Sequence, residues 1–122
     1  MKFSNNIFIR GQVPVLNKLI EKPLEIKEAY KLVKFAKSLD EKEAVFNQAK
    51  MTIFEKYGKK DEKEGTISIP KKNQKKAKVE MDELLAMEED YDLDSKIVIG
   101  DDIAMSAAEL ILLEDIIEIP SK

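Results

Sequence analysis

Three aspartates at alternate positions give the chain its sharpest chemical pattern, in the segment Asp-Tyr-Asp-Leu-Asp at 90–94. With Ile97 and Asp101 they match the first, third, fifth, eighth and twelfth positions of an EF-hand loop, whose oxygen ligands suit Ca²⁺. That loop needs glycine at its sixth position, but this chain has Ser95 there. It also needs the long carboxylate of glutamate at its twelfth position, but this chain has the shorter Asp101. We therefore predict no functional metal site and no cofactor. The candidate ligands of any bound cation are Asp90, Asp92, Asp94 and Asp101.

The missing residue types exclude most enzyme classes. The 122 residues include no His and no Cys, which removes the thiolate nucleophile, Cys-bound zinc and the Ser-His-Asp triad. The four glycines stand alone, so neither a phosphate-binding loop nor a dinucleotide fingerprint is present. We predict that the protein is not an enzyme.

Charge is divided unevenly along the chain. Residues 1–60 carry 13 basic and 7 acidic side chains, whereas residues 61–122 carry 8 and 17. We interpret the lysines at 71–78 as a solvated helix start and expect no nucleic-acid partner, since specific binders usually add arginines or aromatic platforms. The acids at 80–94 are interpreted as a polar helix face. Alternatively they imitate a phosphate backbone and contact a partner protein, through Glu80, Asp82, Glu83, Glu88 and Glu89.

The segment 110–119 is the most apolar in the chain. Its leucines and isoleucines surround a predicted helix on nearly all sides, more than one covered face requires. If one face covers the rest of the domain, Leu112 and Ile116 form an exposed strip that predicts a homodimer. The alternative is a monomer in which both faces are buried.

Apolar periodicity and turn signals predict the elements that position these residues. Helices are expected from about Pro14 to Ile20, then over 24–57, 73–89 and 106–116, with a capping box at Ser106 and Glu109. Short β-like runs are expected at 6–10, 66–70 and 96–100, and a charged loop at 59–65.

The predicted helix at 24–57 carries a coiled-coil-like seam and continues through Ser38. The seam includes Leu32, Phe35, Leu39 and Phe46. The apolar face is widened at its start by Ile26, Tyr30, Val33 and Ala36. Gly58 is expected to end the helix in the left-handed conformation. We predict one domain over residues 1–122 of the α+β class, mainly α, with a long antiparallel helical hairpin, two or three short strands and a C-terminal helix.

The order of these features resembles a known family. The segment 23–34 opens the long helix and 54–62 closes it; Glu-Leu-Leu at 83–85, a short strand and the helix from Ser106 to Ile117 follow. This order resembles that of small, functionally uncharacterised proteins encoded by tailed phages and prophages of low-GC Gram-positive bacteria. The resemblance implies a source and no mechanism.

The expected function is that of a non-enzymatic, phage-encoded protein-interaction module with a phage or host protein as partner. One role is an accessory or assembly factor of the virion. The alternative is a small inhibitor of a host or anti-phage defence protein, acting through its acidic face. No apolar run approaches the roughly 18–20 residues of a membrane span, and the start lacks a signal-peptide core, so we expect the host bacterial cytoplasm and no membrane partner.

Overall fold

The computed structural model describes residues 1–60 and 65–120, and those residues are mainly helical. The helices are α1 (Gln12–Ile20), α2 (Ile26–Tyr57), α3 (Lys71–Ala86) and α4 (Ala107–Leu112). The strands are β1 (Lys2–Ser4), β2 (Lys59–Lys60), β3 (Ile67–Ser68), β4 (Glu88–Asp90), β5 (Ile97–Val98) and β6 (Ile117–Glu118). A 3₁₀ helix, Asn5–Phe8, follows β1. The predicted class, α+β and mainly α, is confirmed.

Helix α2 is continuous over 32 residues, about 48 Å. The predicted seam is buried at Leu32, Phe35, Leu39 and Phe46. Ser38 does not restart the helix, because its hydroxyl donates to the carbonyl of Phe35 at 2.8 Å. Across residues 1–60 and 65–120, no helix has both the length and the apolar character needed to cross a membrane.

Helices α2 and α3 form an antiparallel hairpin. Contacts between them run in opposite directions: Lys56 lies 2.8 Å from Glu80, and the side chain of Asn73 donates to the Tyr57 carbonyl at 3.1 Å. Strands β2 and β3 join the helices as an antiparallel pair. The predicted strand at 66–70 is thus present as β3. Of the predicted loop, residues 61–64 lie outside the described part of the chain.

Gly58 ends α2 without the predicted left-handed conformation. Its backbone is extended, with φ at −92°, and its N–H donates to the Phe54 carbonyl at 2.6 Å. A Cβ atom at Gly58 would collide with that carbonyl oxygen and with the side chain of Ile67. Glycine is therefore required for space, because the β2–β3 pair folds back against the helix end.

The hydrophobic core lies around the first half of α2. Strands β1 and β4 pair antiparallel and β5 and β6 pair parallel, so both ends of the chain reach this core. Its largest fully buried side chains are Leu16, Leu19, Leu32, Phe35, Ile97, Ile99, Leu113 and Ile116. We call residues 1–42 and 88–120 the head, and residues 43–60 and 65–87 the arm.

The predicted strand at 6–10 is wrong, since the strand lies at Lys2–Ser4 and a 3₁₀ turn follows. The side-chain amides of Asn5 and Asn6 donate to the carbonyls of Leu84 (2.8 Å) and Leu85 (3.2 Å). The last carbonyls of a helix have no partner within the helix. The turn therefore places two asparagines where they cap the end of α3, which stops at Ala86 rather than at residue 89.

The last helix is also shorter than predicted. It begins with the predicted capping box, in which Glu109 N–H donates to the Ser106 hydroxyl at 3.1 Å and Ser106 N–H donates to the Glu109 carboxylate at 2.9 Å. It ends at Leu112, and the chain then turns into β6. The N–H of Ile97 donates to the carbonyl of Ile116 at 2.9 Å. Ile117, which is β-branched, then lies in β6 opposite Ile97 of the predicted strand β5.

Candidate interaction surface

The five acids proposed as a contact face are divided between α3 and β4, and three of them are paired within the protein. Glu80 lies 2.8 Å from Lys56 and Asp82 lies 3.1 Å from Lys78. Glu89 lies 3.7 Å from Lys42. Glu83 and Glu88 are exposed. Because lysines of the same chain neutralise much of this charge, the arrangement favours a polar helix face over an imitation of a phosphate backbone.

The four aspartates of the EF-hand-like pattern do not converge. Asp90 is in β4, 3.6 Å from the α-amino group of Met1, and Asp92 lies 3.4 Å from Lys34. Asp94 and Asp101 are exposed on either side of β5. The segment begins in strand β4 and leads into strand β5, whereas an EF-hand loop lies between two helices. In the described ranges, no group of three acidic side chains is placed to hold a metal ion.

Tyr91, between those aspartates, is buried against the rings of Phe3 and Phe35, with centroids 5.7 Å and 5.6 Å away. Burial, helped by the charge of Glu89, raises the pKa of its hydroxyl to about 12. No described residue forms a hydrogen bond with that hydroxyl oxygen. Tyr91 therefore stays neutral and acts as part of the core.

The other shifted pKa values also move away from neutrality. The hydrogen bond from Lys56 lowers the pKa of Glu80, and the same contact raises the pKa of Lys56. The backbone N–H of Ser106 lowers the pKa of Glu109 in the capping box. General acid–base catalysis needs a pKa near the working pH. These groups are thus tuned for ion pairing and capping rather than for proton transfer.

The exposed strip predicted at Leu112 and Ile116 is not formed. Ile116 is fully buried and Leu112 is partly buried, with its carbonyl accepting a hydrogen bond from the Gln12 side chain at 2.8 Å. Because the helix ends at Leu112, the helical positions assumed for residues 113–117 do not apply. Ile111 points outward instead, with 66% of its surface exposed. The predicted homodimer itself is not tested and stays a prediction.

Sequence reasoning missed an uncovered apolar surface at the start of α2. Ile26, Tyr30 and Val33 are 84%, 65% and 45% exposed; we call these three residues the α2 stripe. They line an open groove of about 450 Å³ together with Lys27 and Ala29. The periodicity suggested that they widen the covered face of the helix. The missed signal is that Leu32 and Phe35 already supply an apolar face on the opposite side of the helix, which is the side that the core covers.

A second concavity lies where the arm meets the head. It measures about 220 Å³, between apolar side chains of α2 and α3 such as Val45, Phe46 and Leu84. Lys42 and Glu89 form an ion pair at its edge, 3.7 Å apart. Because Lys42 and Glu89 already pair with each other, this concavity has fewer side chains free to contact a partner than the α2 stripe has.

The likeness to small phage proteins rests on the order of helices and turns over about residues 23–117. Helical hairpins of unrelated function share such an order, so fold alone does not assign a role. A phage source therefore stays a prediction. No protein-family model, no curated protein and no solved structure matches the chain.

Proposed function

We propose that the protein is a non-enzymatic protein-interaction module that binds its partner through the α2 stripe. The observation that carries this proposal is the exposure of Ile26, Tyr30 and Val33 on one face of a helix. Large apolar side chains grouped on a surface are typical of binding sites, whereas single exposed ones are ordinary. Tyrosine in particular is enriched among the residues that dominate binding energies.

The α2 stripe is held on a fixed support. On the opposite side of the same helical turns, Leu32 and Phe35 are buried in the core. The stripe therefore has its bound geometry before the partner arrives, which reduces the entropy cost of association. Burying a valine or isoleucine side chain contributes about 1.5–3 kcal/mol. Ile26, Tyr30 and Val33 would therefore supply a large part of a partner's binding energy, from which the cost of association is subtracted.

Two roles fit such a module. The resemblance to phage proteins supports an accessory or assembly factor of the virion, in which the partner is a phage protein. The alternative is an inhibitor of a host or defence protein; Glu83 and Glu88, exposed on the arm and at the start of β4, would then add polar contacts. In both roles the protein acts by occupying a surface and carries out no chemistry.

Affinity capture with matched variants tests the function. The double variant Ile26→Ser with Val33→Ser removes the apolar contacts at exposed positions, so we expect it to stay folded. The control is Val79→Ser on α3, a valine that is 52% exposed and far along the chain from the stripe. We expect a partner recovered with the wild type and the control and lost with the double variant.

The source of the captured partner separates the two roles. A structural protein of the virion favours assembly, and a protein of uninfected cells favours the inhibitor. Retention of every captured protein by the double variant would show that the stripe is not the binding surface.

A further inference from the structure

The α2 stripe has a basic border. Successive helical residues are 100° apart, so Lys27 and Lys34, seven residues apart, lie on one flank of the stripe, and Lys37 lies about one turn beyond Val33. Lys27 and Lys37 are exposed, and no described residue pairs with them. Lys34 lies 3.4 Å from Asp92.

Acidic side chains are sparse on the first turns of α2, which Glu25 precedes. From residue 26 to residue 39 the sequence contains one acid, Glu28. Glu28 is buried, and Lys31 neutralises it at 3.1 Å. Asp40 and Glu41 come one turn later and end the basic region. A partner on the stripe therefore meets a positive border over about three helical turns.

The shape of the groove favours a helix as occupant. The groove floor is apolar side-chain surface on a helix and offers no sheet edge, so no strand can be added there. The stripe residues are four and three positions apart, the spacing at which two helices pack ridges into grooves. Ala29 on the flank opposite the lysines is small, which lets a second helix approach closely.

A second copy of the chain fits the stripe poorly. A two-fold interface places the same patch of both copies together. In an antiparallel pairing of two α2 helices, the flank with Lys27 and Lys34 would face its own copy. Like charges brought together oppose association.

These observations define the partner's chemistry. We infer that the α2 stripe binds an acidic amphipathic α-helix, with apolar residues at helical spacing on one face and Asp or Glu beside them. The inference rests on the proposed function and specifies it further. The apolar residues cover Ile26, Tyr30 and Val33, and the acids pair with Lys27 and Lys37. The charges then select for this class of helix over basic or neutral ones.

Two labelled peptides test the inference against the full-length protein. Both are Ala-rich, capped helices of about 18 residues with leucines at helical spacing, one with glutamates beside the leucines and the other with lysines. We expect fluorescence anisotropy to show the acidic peptide binding about tenfold more tightly, with an advantage that shrinks as salt is added. Ile26→Ser with Val33→Ser should abolish binding of both peptides, and Val79→Ser should change neither.

A charge-reversal variant sharpens the test, because it leaves the apolar floor intact. Lys27→Glu with Lys37→Glu should reverse the preference in favour of the basic peptide. Equal binding of the two peptides, no binding of the acidic peptide, or an unchanged preference in this variant would each overturn the inference.

Two further measurements address other occupants. Stripe-dependent binding to vesicles rich in phosphatidylserine would identify a lipid surface, and a dimer in sedimentation that Ile26→Ser dissociates would identify a second copy. Either result contradicts the acidic helix. If affinity capture still depends on the stripe while the acidic peptide fails to bind, the proposed function stands and this inference falls.

Discussion

In the head, α2 is covered by α1 and β5, whereas in the arm the same helix is packed mainly against α3. The head buries Leu32, Phe35 and Leu39 among residues from both ends of the chain. The buried apolar side chains of the described arm are Phe46, Ala77 and Leu84. An open groove of about 300 Å³ remains between α2 and α3, beside Phe54 and Met81. One helix therefore passes from a dense core into a sparsely packed hairpin.

This difference separates two sources of stability. The head is stabilised by removing apolar surface from water, about 25 cal/mol per Å². The arm depends more on helix propensity, on the Lys56–Glu80 pair and on the bond from Asn73 to the Tyr57 carbonyl. Exposed ion pairs contribute little. The arm should therefore open locally at a lower free energy than the head.

The largest expected effect comes from truncating one phenylalanine in each region. Phe35→Ala should lower the free energy of unfolding by about 4–5 kcal/mol, because Phe35 is fully buried and its cavity cannot collapse. Phe46→Ala should cost about 3 kcal/mol, since Phe46 stacks on Phe8 beside an open groove that can relax. Urea denaturation measures both. Equal losses would show that the two regions are packed alike.

Hydrogen exchange compares the regions within one helix. We expect the amides of residues 32–40 to exchange at least about 100-fold more slowly than those of residues 48–56, because local opening of the arm needs less free energy. Nuclear magnetic resonance resolves the two sets. Uniform protection along α2 would mean that head and arm unfold as one unit.

Tyr91 tests how much stability the head loses by burying a hydroxyl group with which no described residue forms a hydrogen bond. Tyr91→Phe should stabilise the protein at pH 7 by about 1 kcal/mol, because it removes a buried hydroxyl that no described residue satisfies. Tyr30→Phe, at an exposed position, is the control and should leave stability unchanged. A destabilised Tyr91→Phe would reveal a hydrogen bond at that oxygen.

Ionisation of Tyr91 limits the stability of the protein at alkaline pH. The pKa of Tyr91 is raised to about 12 in the fold from an ordinary value near 10. Below pH 10 the tyrosine is neutral in both the folded and the unfolded state, so its ionisation does not affect stability; as the pH rises towards 12 the fold opposes ionisation, and about 3 kcal/mol of stability is lost. The Tyr91→Phe variant should lose less stability over this interval, whereas lysine deprotonation affects both proteins.

The smallest expected effect concerns the ion pair of the arm. Lys56 lowers the pKa of Glu80, so the pair contributes above the ordinary Glu pKa and is lost as the pH falls through the lowered value. In Lys56→Met the pKa of Glu80 should rise towards its ordinary value, which a carbon-detected titration measures. The control Lys78→Met changes a lysine on the same helix as Glu80 and should leave the Glu80 titration unchanged.

Local patterns predict the presence of the four helices, but not where α3 and α4 end. The α2 seam, the hairpin and the Ser106 capping box follow from local periodicity and side-chain chemistry, which neighbouring elements reinforce. The wrong predictions concern segments whose structure depends on contacts with residues far along the chain. Asn5 and Asn6 leave the predicted strand to cap α3, and Ile116 and Ile117 leave the predicted helix to reach β5. No local pattern encodes those contacts.

The candidate surface was misassigned for a related reason. Periodicity identifies apolar faces but does not say which of them another element covers. At the start of α2 two apolar faces lie on opposite sides of the same helical turns, and the structure covers the one with Leu32. At residues 112–116 the apolar periodicity predicts a helix that continues past the end of α4, which wrongly places the buried Ile116 on the surface.

The pairing of β1 with β4 imposes an order on folding. Phe3 lies opposite Glu89, 86 residues later in the chain. At a synthesis rate of about 5–20 residues per second, the first strand waits roughly 4–17 seconds for its partner. Helices and hairpins form within microseconds. During synthesis the arm can therefore form before the head closes, and Phe3 stays exposed to chaperones and to neighbouring chains until residue 89 has emerged.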